Sequence, residues 1–131
     1  MAVEIAAGTQ VTKTFVAGED LSAKQYYLVK LSSGNVVACS GVTDVPIGVV
    51  QNKPALGKAA EVVMLGGTKI VSSAATTAGA LIGTAATGKA AAKTVGTDIT
   101  HYVVGTMVTA TGGADQVGTA VINCLNPHRA S

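Results

Sequence analysis

Short apolar runs separated by turn-forming residues recur along this chain. Between residues 46 and 72, runs at 47–50 and 62–65 flank a loop with proline and glycine, and Gly66-Gly67 leads into a third run at 69–72. Many residues in these runs are β-branched and suit the pleated surface of a sheet. A Gly-Gly pair supplies the positive φ angles of a two-residue hairpin turn. The stretch therefore predicts strand, loop, strand, tight turn and strand.

Residues 73–93 contain many alanines, which favour a helix, but three glycines interrupt them. Each glycine in a helix interior costs about 1 kcal/mol relative to alanine. We therefore predict a hairpin here, with strands at 81–86 and 89–95 around a turn at Thr87-Gly88. The same patterns predict further strands at 11–16, 25–31, 36–39, 101–110 and 118–125.

Two halves of the chain repeat the same turn signals in the same order. Ser33-Gly34 recurs as Thr87-Gly88, and Asp44 recurs as Asp98, at one constant offset. Such self-similarity is typical of an internal duplication. The alternative, a coincidence between two glycine-rich hairpins, stays open because few residues are identical.

We predict a mainly β chain that folds as one small, barrel-like domain with an internal pseudo-two-fold duplication. Residues 11–131 form this domain, and its two repeats cover about 16–65 and 70–125. Residues 1–10 alternate poorly and carry little turn chemistry, which predicts an extended N-terminal arm.

The composition predicts a shallow core. Apolar residues make up 48% of the 131 residues, but aromatic residues only 3%, with Phe15 as the single phenylalanine and no tryptophan. Aromatic side chains usually supply much of the burial energy of a monomer. We therefore expect oligomerisation, or docking onto a larger body, to add stability.

Charge and hydropathy argue against two classes of partner. The net charge is +2, only 12% of residues are charged, and the lysines are scattered singly. Nucleic-acid binding normally needs a basic stripe with aromatic groups, so we predict no nucleic-acid partner. No run of about 18 apolar residues occurs, and the N-terminus lacks the pattern of a signal peptide. We therefore predict no membrane partner and synthesis in the cytoplasm.

No catalytic or metal-binding pattern stands out. His101 and His128 have no carboxylate or nucleophile at an informative spacing, and the adjacent acids Glu19-Asp20 fall in a predicted turn. Cys39 and Cys124 lie far apart in sequence, which favours two reduced, buried thiols. We predict no enzyme activity, no metal and no cofactor.

One alternative function is a small β carrier or adaptor-type binding module. Biotinyl and lipoyl carrier domains present a lysine on a hairpin, and Lys69 follows the predicted turn at Gly66-Gly67. Those domains carry Met-Lys-Met or Asp-Lys-Ala around that lysine, whereas this chain has Thr68-Lys69-Ile70. An exposed strand lysine is the simpler interpretation.

An Ala-Gly-Glu turn within residues 17–22 and an Ile-Gly-Val strand within 46–52 precede a strand at 57–62. Val29-Lys30-Leu31 and a turn at Gly34 lie between the first two motifs. With these motifs the chain resembles the head decoration, or capsid cement, proteins of tailed bacteriophages, of the β-tulip type. The resemblance runs over residues 15–125, and the second half fits it in outline.

The resemblance implies a structural virion protein that binds the outer surface of a phage capsid and cements neighbouring subunits of the major capsid protein. It also implies a homo-oligomer, with a trimer favoured and a dimer possible. Several weak contacts made together act through a high effective concentration. An extended arm adds strands to a partner or fills its grooves. The predicted capsid-contacting arm therefore consists of Ala2, Val3, Glu4, Ile5, Ala6 and Ala7.

Overall fold

A computed structural model describes residues 10–131, and in this part of the chain every regular element is a β-strand. The prediction of a mainly β domain is therefore confirmed. The strands are β1 (Val11–Val16), β2 (Leu28–Ser32), β3 (Asn35–Ala38), β4 (Gly48–Val50), β5 (Ala59–Val71), β6 (Leu81–Thr84), β7 (Ala90–Ala92), β8 (Tyr102–Val103), β9 (Gly105–Met107), β10 (Val117–Asn123) and β11 (His128–Arg129).

Nine of these strands form one strongly curled sheet, as the barrel-like prediction requires. Its order is β3-β2-β4-β5-β10-β9-β6-β7, with β1 paired to β5, and every pairing in it is antiparallel. The long strands β5 and β10 lie at the centre of this order. Outward from β5 come the short strand β4 and the hairpin β2-β3, and outward from β10 come the short strand β9 and the hairpin β6-β7. β8 and β11 form a separate two-stranded sheet.

The long strand β5 corrects one prediction. It runs without a break from Ala59 to Val71, so Gly66-Gly67 makes no hairpin turn. The first part of β5 pairs with β1 and β4, and its last part pairs with β10. The two predicted strands at 62–65 and 69–72 therefore belong to a single strand that both halves of the sheet share.

The two halves repeat the same backbone connections. Ala17, just after β1, bridges Val36 in β3, and Ser72, just after β5, bridges Ala90 next to the second hairpin turn. The last part of β5 thus has the place in the second half that β1 has in the first. This equivalence explains why β5 is so long, because it ends one repeat and begins the next.

Hydrogen bonds outside the strands repeat as well. Leu21 N–H donates to the carbonyl of Pro54, and Thr76 N–H donates to the carbonyl of Thr111. Leu21 lies four residues after Ala17, and Thr76 lies four residues after Ser72, so the two bonds are at equivalent positions. The repeated order and the repeated bonds support the predicted duplication. That the stretches 16–65 and 70–125 fold as separate units stays a prediction.

Two loops repeat the same carboxylate cap. Asp44 accepts hydrogen bonds from the N–H groups of Ser40 and Gly41, at 2.8 and 2.9 Å. Asp98 accepts the N–H of Thr94 at 2.7 Å. Aspartate commonly closes a tight loop in this way, because its short side chain reaches nearby backbone donors.

The predicted hairpins around Ser33-Gly34 and Thr87-Gly88 both form, and 73–93 contains no helix. Ser33 and Gly34 have φ angles of 52° and 82°, and Gly88 has 84°. In the first hairpin, Ser33 and Gly34 form a two-residue loop, and their two positive φ angles match the right-handed twist of the flanking strands. Glycine at the second position removes the steric cost of that conformation.

The core consists of two clusters on opposite faces of the sheet in the first half. One cluster lies wholly within residues 15–64 and includes Leu21, Val50 and Val62. The other takes Val49 and Val63 from the first half and combines them with residues of the second half. Because neighbouring strand residues point to opposite faces, β4 and β5 contribute to both clusters. The second cluster holds the two halves together.

Candidate binding surface

The predicted capsid-contacting residues, Ala2 to Ala7, lie outside the described part of the chain. The description begins at Gln10, whose side-chain amide donates to the carbonyl of Gly67 at 2.6 Å. β1 follows directly, and the side chains of Val11 and Val16 in it are 42% and 46% exposed. The start of the described chain is thus fixed to β5 and leads into a strand with a large exposed surface.

An apolar groove lies on the second half of the sheet. In register across three neighbouring strands, Leu81 pairs with Thr106, and Thr106 pairs with Val121. Leu81 and Val121, on the two strands that flank β9, are 38% and 49% exposed, which is a large fraction for apolar side chains. The groove is lined by Leu65, Leu81, Val103, Thr106, Val121 and His128, among other residues.

The sequence prediction missed this groove. The one local indication is the position of Val121 in β10. Its neighbours Ala120 and Ile122 are buried, and Val121 between them is exposed. Alternation in a strand places Val121 on the face away from the core. A valine there is a surface position with strand propensity, and only its neighbours on β6 and β9 make it part of an apolar patch.

Each of the two capped loops also presents an apolar side chain to solvent. Val45 follows Asp44 and is 45% exposed, and Ile99 follows Asp98 and is 52% exposed. The two halves of the molecule therefore display similar small apolar surfaces at equivalent positions. Such repeated surfaces suit a partner that offers the same contact more than once.

Lys69 was the candidate for the carrier alternative. The residue lies inside β5, two residues before its end, and its cross-strand partner is Thr119 in β10. A carrier lysine needs an exposed hairpin turn, and the structure gives Lys69 a position in the middle of a sheet. The predicted presentation of Lys69 on a hairpin is therefore wrong.

His101 contacts two ionisable groups. Its Nδ1 atom lies 3.0 Å from Nζ of Lys93 and 3.7 Å from a carboxylate oxygen of Asp98. Lys93 is almost completely buried, and this burial lowers its pKa, while the charge of Asp98 opposes the shift. The three side chains connect the residue that follows β7 to the loop before β8, which is a structural role. His128 lies in β11 and lines the groove.

The adjacent acids Glu19 and Asp20 stabilise the turn that contains them. Glu19 accepts the N–H of Ala38 at 2.7 Å and lies 3.6 Å from the ammonium group of Lys24. Hydrogen bonds from the side chain and the N–H of Ser22 lower the pKa of Asp20. Both carboxylates are thus engaged in hydrogen bonds and an ion pair within and around this turn.

Both cysteines are free thiols in the cluster that joins the two halves. Burial raises the pKa of Cys39 to about 12, which a hydrogen bond with Thr84 partly offsets. Burial also raises the pKa of Cys124 to about 12, and the neighbouring Cys39 adds to the shift. A reactive cysteine needs a thiolate, so these two side chains act as small apolar groups.

Within residues 10–131, no group of three or more His, Cys, Asp or Glu side chains is placed to hold a metal ion. The same residues contain no helix that is long and apolar enough to cross a membrane.

A solved structure has a similar fold. It is the crystal structure of the head fiber gp8.5 N base in bacteriophage phi29, with a TM-score of 0.65. The comparison covers 88% of this chain and 95% of that chain, at 19% sequence identity. At this identity the likeness shows the fold. No family model matches the sequence, and no match is found among curated proteins.

Proposed function

We propose that this protein is a structural component of a bacteriophage virion that binds the outer surface of the capsid and cements neighbouring subunits of the major capsid protein. The observation that carries the proposal is the likeness, along 88% of the chain, to the base of a phage head fiber. Fold likeness alone does not fix a function. The exposed apolar surfaces and the resemblance of the sequence motifs to capsid cement proteins point to the same role.

The apolar surfaces are the proposed means of attachment. The groove with Leu81 and Val121 and the two loops with Val45 and Ile99 provide several separate contacts on one small protein. Each contact is small, but contacts made together act through a high effective concentration. The segment from Ala2 to Ala7 adds a further contact to the capsid in this proposal.

We also propose that the protein acts as a homo-oligomer, with a trimer favoured over a dimer. The chain contains few aromatic residues for a core, and several large apolar side chains on the described strands and loops are exposed. Association around a symmetry axis would cover part of this surface. It would also multiply the number of capsid contacts per particle.

A second candidate role is specifically suggested by the solved structure, which is the base of a fiber. In that role the protein would attach another chain or segment to the head, and stabilisation of the shell would be secondary. Electron microscopy of decorated heads distinguishes the two roles, because a cement protein adds a compact knob and a fiber base adds an elongated projection.

The direct test adds the purified protein to undecorated heads of its own phage and follows co-sedimentation. Heads that carry the protein should resist heat or low salt better than bare heads, because a ligand stabilises the state that it prefers. A variant in which Val3 and Ile5 are both replaced by serine should bind more weakly and keep the wild-type unfolding temperature. Failure of the wild-type protein to bind heads, or binding without any gain in particle stability, would contradict the proposal.

A further inference from the structure

Two rows of three paired residues occupy equivalent places in the two halves of the sheet. Each row crosses a hairpin strand, a short strand and a long strand, and directly paired residues point to the same face of a sheet. The covered row, in the first half, consists of Leu28, Val49 and Val63. The exposed row, in the second half, consists of Leu81, Thr106 and Val121. The two rows therefore lie on the same face of their repeats.

The two rows differ in burial. Every side chain of the covered row is at most 1% exposed, and all three belong to the cluster that joins the two halves. In the exposed row, Leu81 and Val121 are open to solvent, Thr106 is half-buried, and all three line the groove. The groove is thus the equivalent, in the second half, of a face that the molecule covers in the first.

The second hairpin, β6 with β7, forms part of that cover. The N–H of Leu28 donates to the carbonyl of Gly88, in the hairpin turn, at 2.7 Å. Thr84, in the same hairpin, is buried and shares a hydrogen bond with the thiol of Cys39. The second hairpin therefore packs against the first half at the end of the covered row.

The first hairpin, β2 with β3, is exposed where the second hairpin is covered. Leu31 pairs with Val36, and Thr84 pairs with Ala90. Val36 and Ala90 are the residues that form the two equivalent bridges after β1 and β5, so Leu31 has the place of Thr84. Leu31 is 51% exposed, and the turn of its hairpin is exposed too, whereas Gly88 is buried.

Both ends of this two-repeat molecule are apolar. A terminal repeat normally carries polar residues on its outer face, because no neighbour covers it. Here the second half ends in the groove with Leu81 and Val121, and the first half ends in a hairpin with Leu31. Each of these surfaces is the equivalent of one that forms the contact between the two halves.

We propose that the groove binds a second copy of this chain, whose first hairpin packs on it with Leu31 against Leu81 and Val121. The contact repeats between copies the packing of the second hairpin on the first half. It joins two different surfaces, so it is head-to-tail and forms a ring where the rotation between copies closes. The inference rests on the proposed association of copies and specifies its surfaces. The loops with Val45 and Ile99 are left for the capsid.

Substitutions on the two surfaces test the contact in purified protein without heads. Leu31→Asp blocks the hairpin and Val121→Asp blocks the groove, and both side chains are exposed in the single chain. Sedimentation velocity over a range of concentrations should show association at least about tenfold weaker for each variant than for the wild type, because the contact would bury an unpaired carboxylate. Leu56→Asp, at an exposed leucine outside both surfaces, is the matched control and should associate like the wild type.

An equimolar mixture of the two variants tests the head-to-tail geometry. One variant keeps the hairpin and the other keeps the groove, so the mixture should form a dimer and nothing larger. Thermal unfolding shows whether each variant is folded, and Leu31→Ser and Val121→Ser replace an aspartate variant that is unfolded.

Three results would overturn the inference. A wild-type protein that stays monomeric at every concentration excludes both this contact and the proposed oligomer. A wild-type oligomer that neither substitution weakens excludes the contact and leaves the oligomer standing. Two weakened variants whose mixture forms no dimer show that like surfaces meet. Binding to heads is a separate measurement, so these results leave the cement proposal standing.

Discussion

The side-chain hydroxyl of Thr76 lies 2.8 Å from that of Thr111, at the place where the first half of the molecule has Leu21 and Pro54. Ser72 joins them, with its hydroxyl 2.6 Å from Thr111. The backbone makes the same hydrogen bond in both halves, from Leu21 N–H to the carbonyl of Pro54 and from Thr76 N–H to the carbonyl of Thr111. The side chains are apolar in one repeat and form a buried hydroxyl cluster in the other.

Thr111→Val should destabilise the protein by about 1–3 kcal/mol, because it leaves two buried hydroxyl groups without their shared partner. Urea unfolding measures the loss. Thr97→Val, at an exposed position, is the control and should change stability by less than about 0.5 kcal/mol. The triple variant Ser72→Ala, Thr76→Val and Thr111→Val should be more stable than Thr111→Val alone, since it removes the unpaired groups as well. A triple variant that is less stable would show that the hydroxyl cluster is not the reason.

Gly48 and Gly105 should not tolerate alanine. An added methyl group would lie 2.3 Å from the carbonyl oxygen of Val63 at Gly48, and 2.5 Å from that of Val121 at Gly105. Backbone oxygens in a paired strand have little room to move, so each substitution should cost about 3 kcal/mol. Gly113→Ala is the matched control, because no atom lies within 4 Å of the added methyl group. Thermal unfolding of the three variants checks the difference, and equal losses in all three would contradict this packing argument.

The Lys30–Asp44 pair should make stability depend on pH in the acid range. Burial raises the pKa of Asp44, but hydrogen bonds from Lys30 and from the N–H groups of Ser40 and Gly41 outweigh it and lower the pKa overall. Because the folded pKa is below the unfolded one, the ionised carboxylate stabilises the fold above about pH 4, and this contribution is lost as the pH falls through the folded pKa.

Asp44→Asn should therefore be less stable than the wild type at pH 7, and the difference should shrink below about pH 4. Urea unfolding at several pH values measures both proteins. Asp115→Asn is the comparison, because Asp115 pairs with Lys89 but is 70% exposed, and it should show a smaller pH-dependent difference. A difference at Asp44 that stays constant from pH 7 to pH 2 would rule out this electrostatic contribution.

Cys39 and Cys124 should react with a thiol reagent only after unfolding. Both thiols are buried, and burial raises the pKa of each to about 12, so the reactive thiolate is scarce at neutral pH. We expect almost no modification of the native protein and two modified thiols in denaturant without a reductant. Detection of fewer than two thiols in denaturant would indicate oxidation or a disulfide instead.

Much of the fold follows from local features of the sequence. Glycine and alternating apolar residues predicted the hairpins around Gly34 and Gly88, and glycines argued correctly against a helix at 73–93. The repeated turns indicated the duplication before any pairing was known. These features depend on residues close together in sequence, where conformational preference and side-chain period act directly.

Less of the candidate binding surface could be predicted from the sequence. The segment from Ala2 to Ala7 remains a proposal drawn from the sequence. The groove was missed because Leu81 and Val121 come together only through the pairing of β6, β9 and β10. Each of these residues by itself is an ordinary strand residue, and long-range pairing brings them together.

The sequence by itself determined the β character, the positions of the tight turns and the repeated order of the elements. The tertiary structure alone decided the course of the chain at Gly66-Gly67. Glycine permits both a turn and an extended strand, so the Gly-Gly pair by itself indicates no preference between them. Pairing of Gly66 with Ile122 and of Gly67 with Val121 keeps both glycines in the sheet, with Gly66 at a φ of 114° that favours glycine. β5 therefore continues from one half of the molecule into the other.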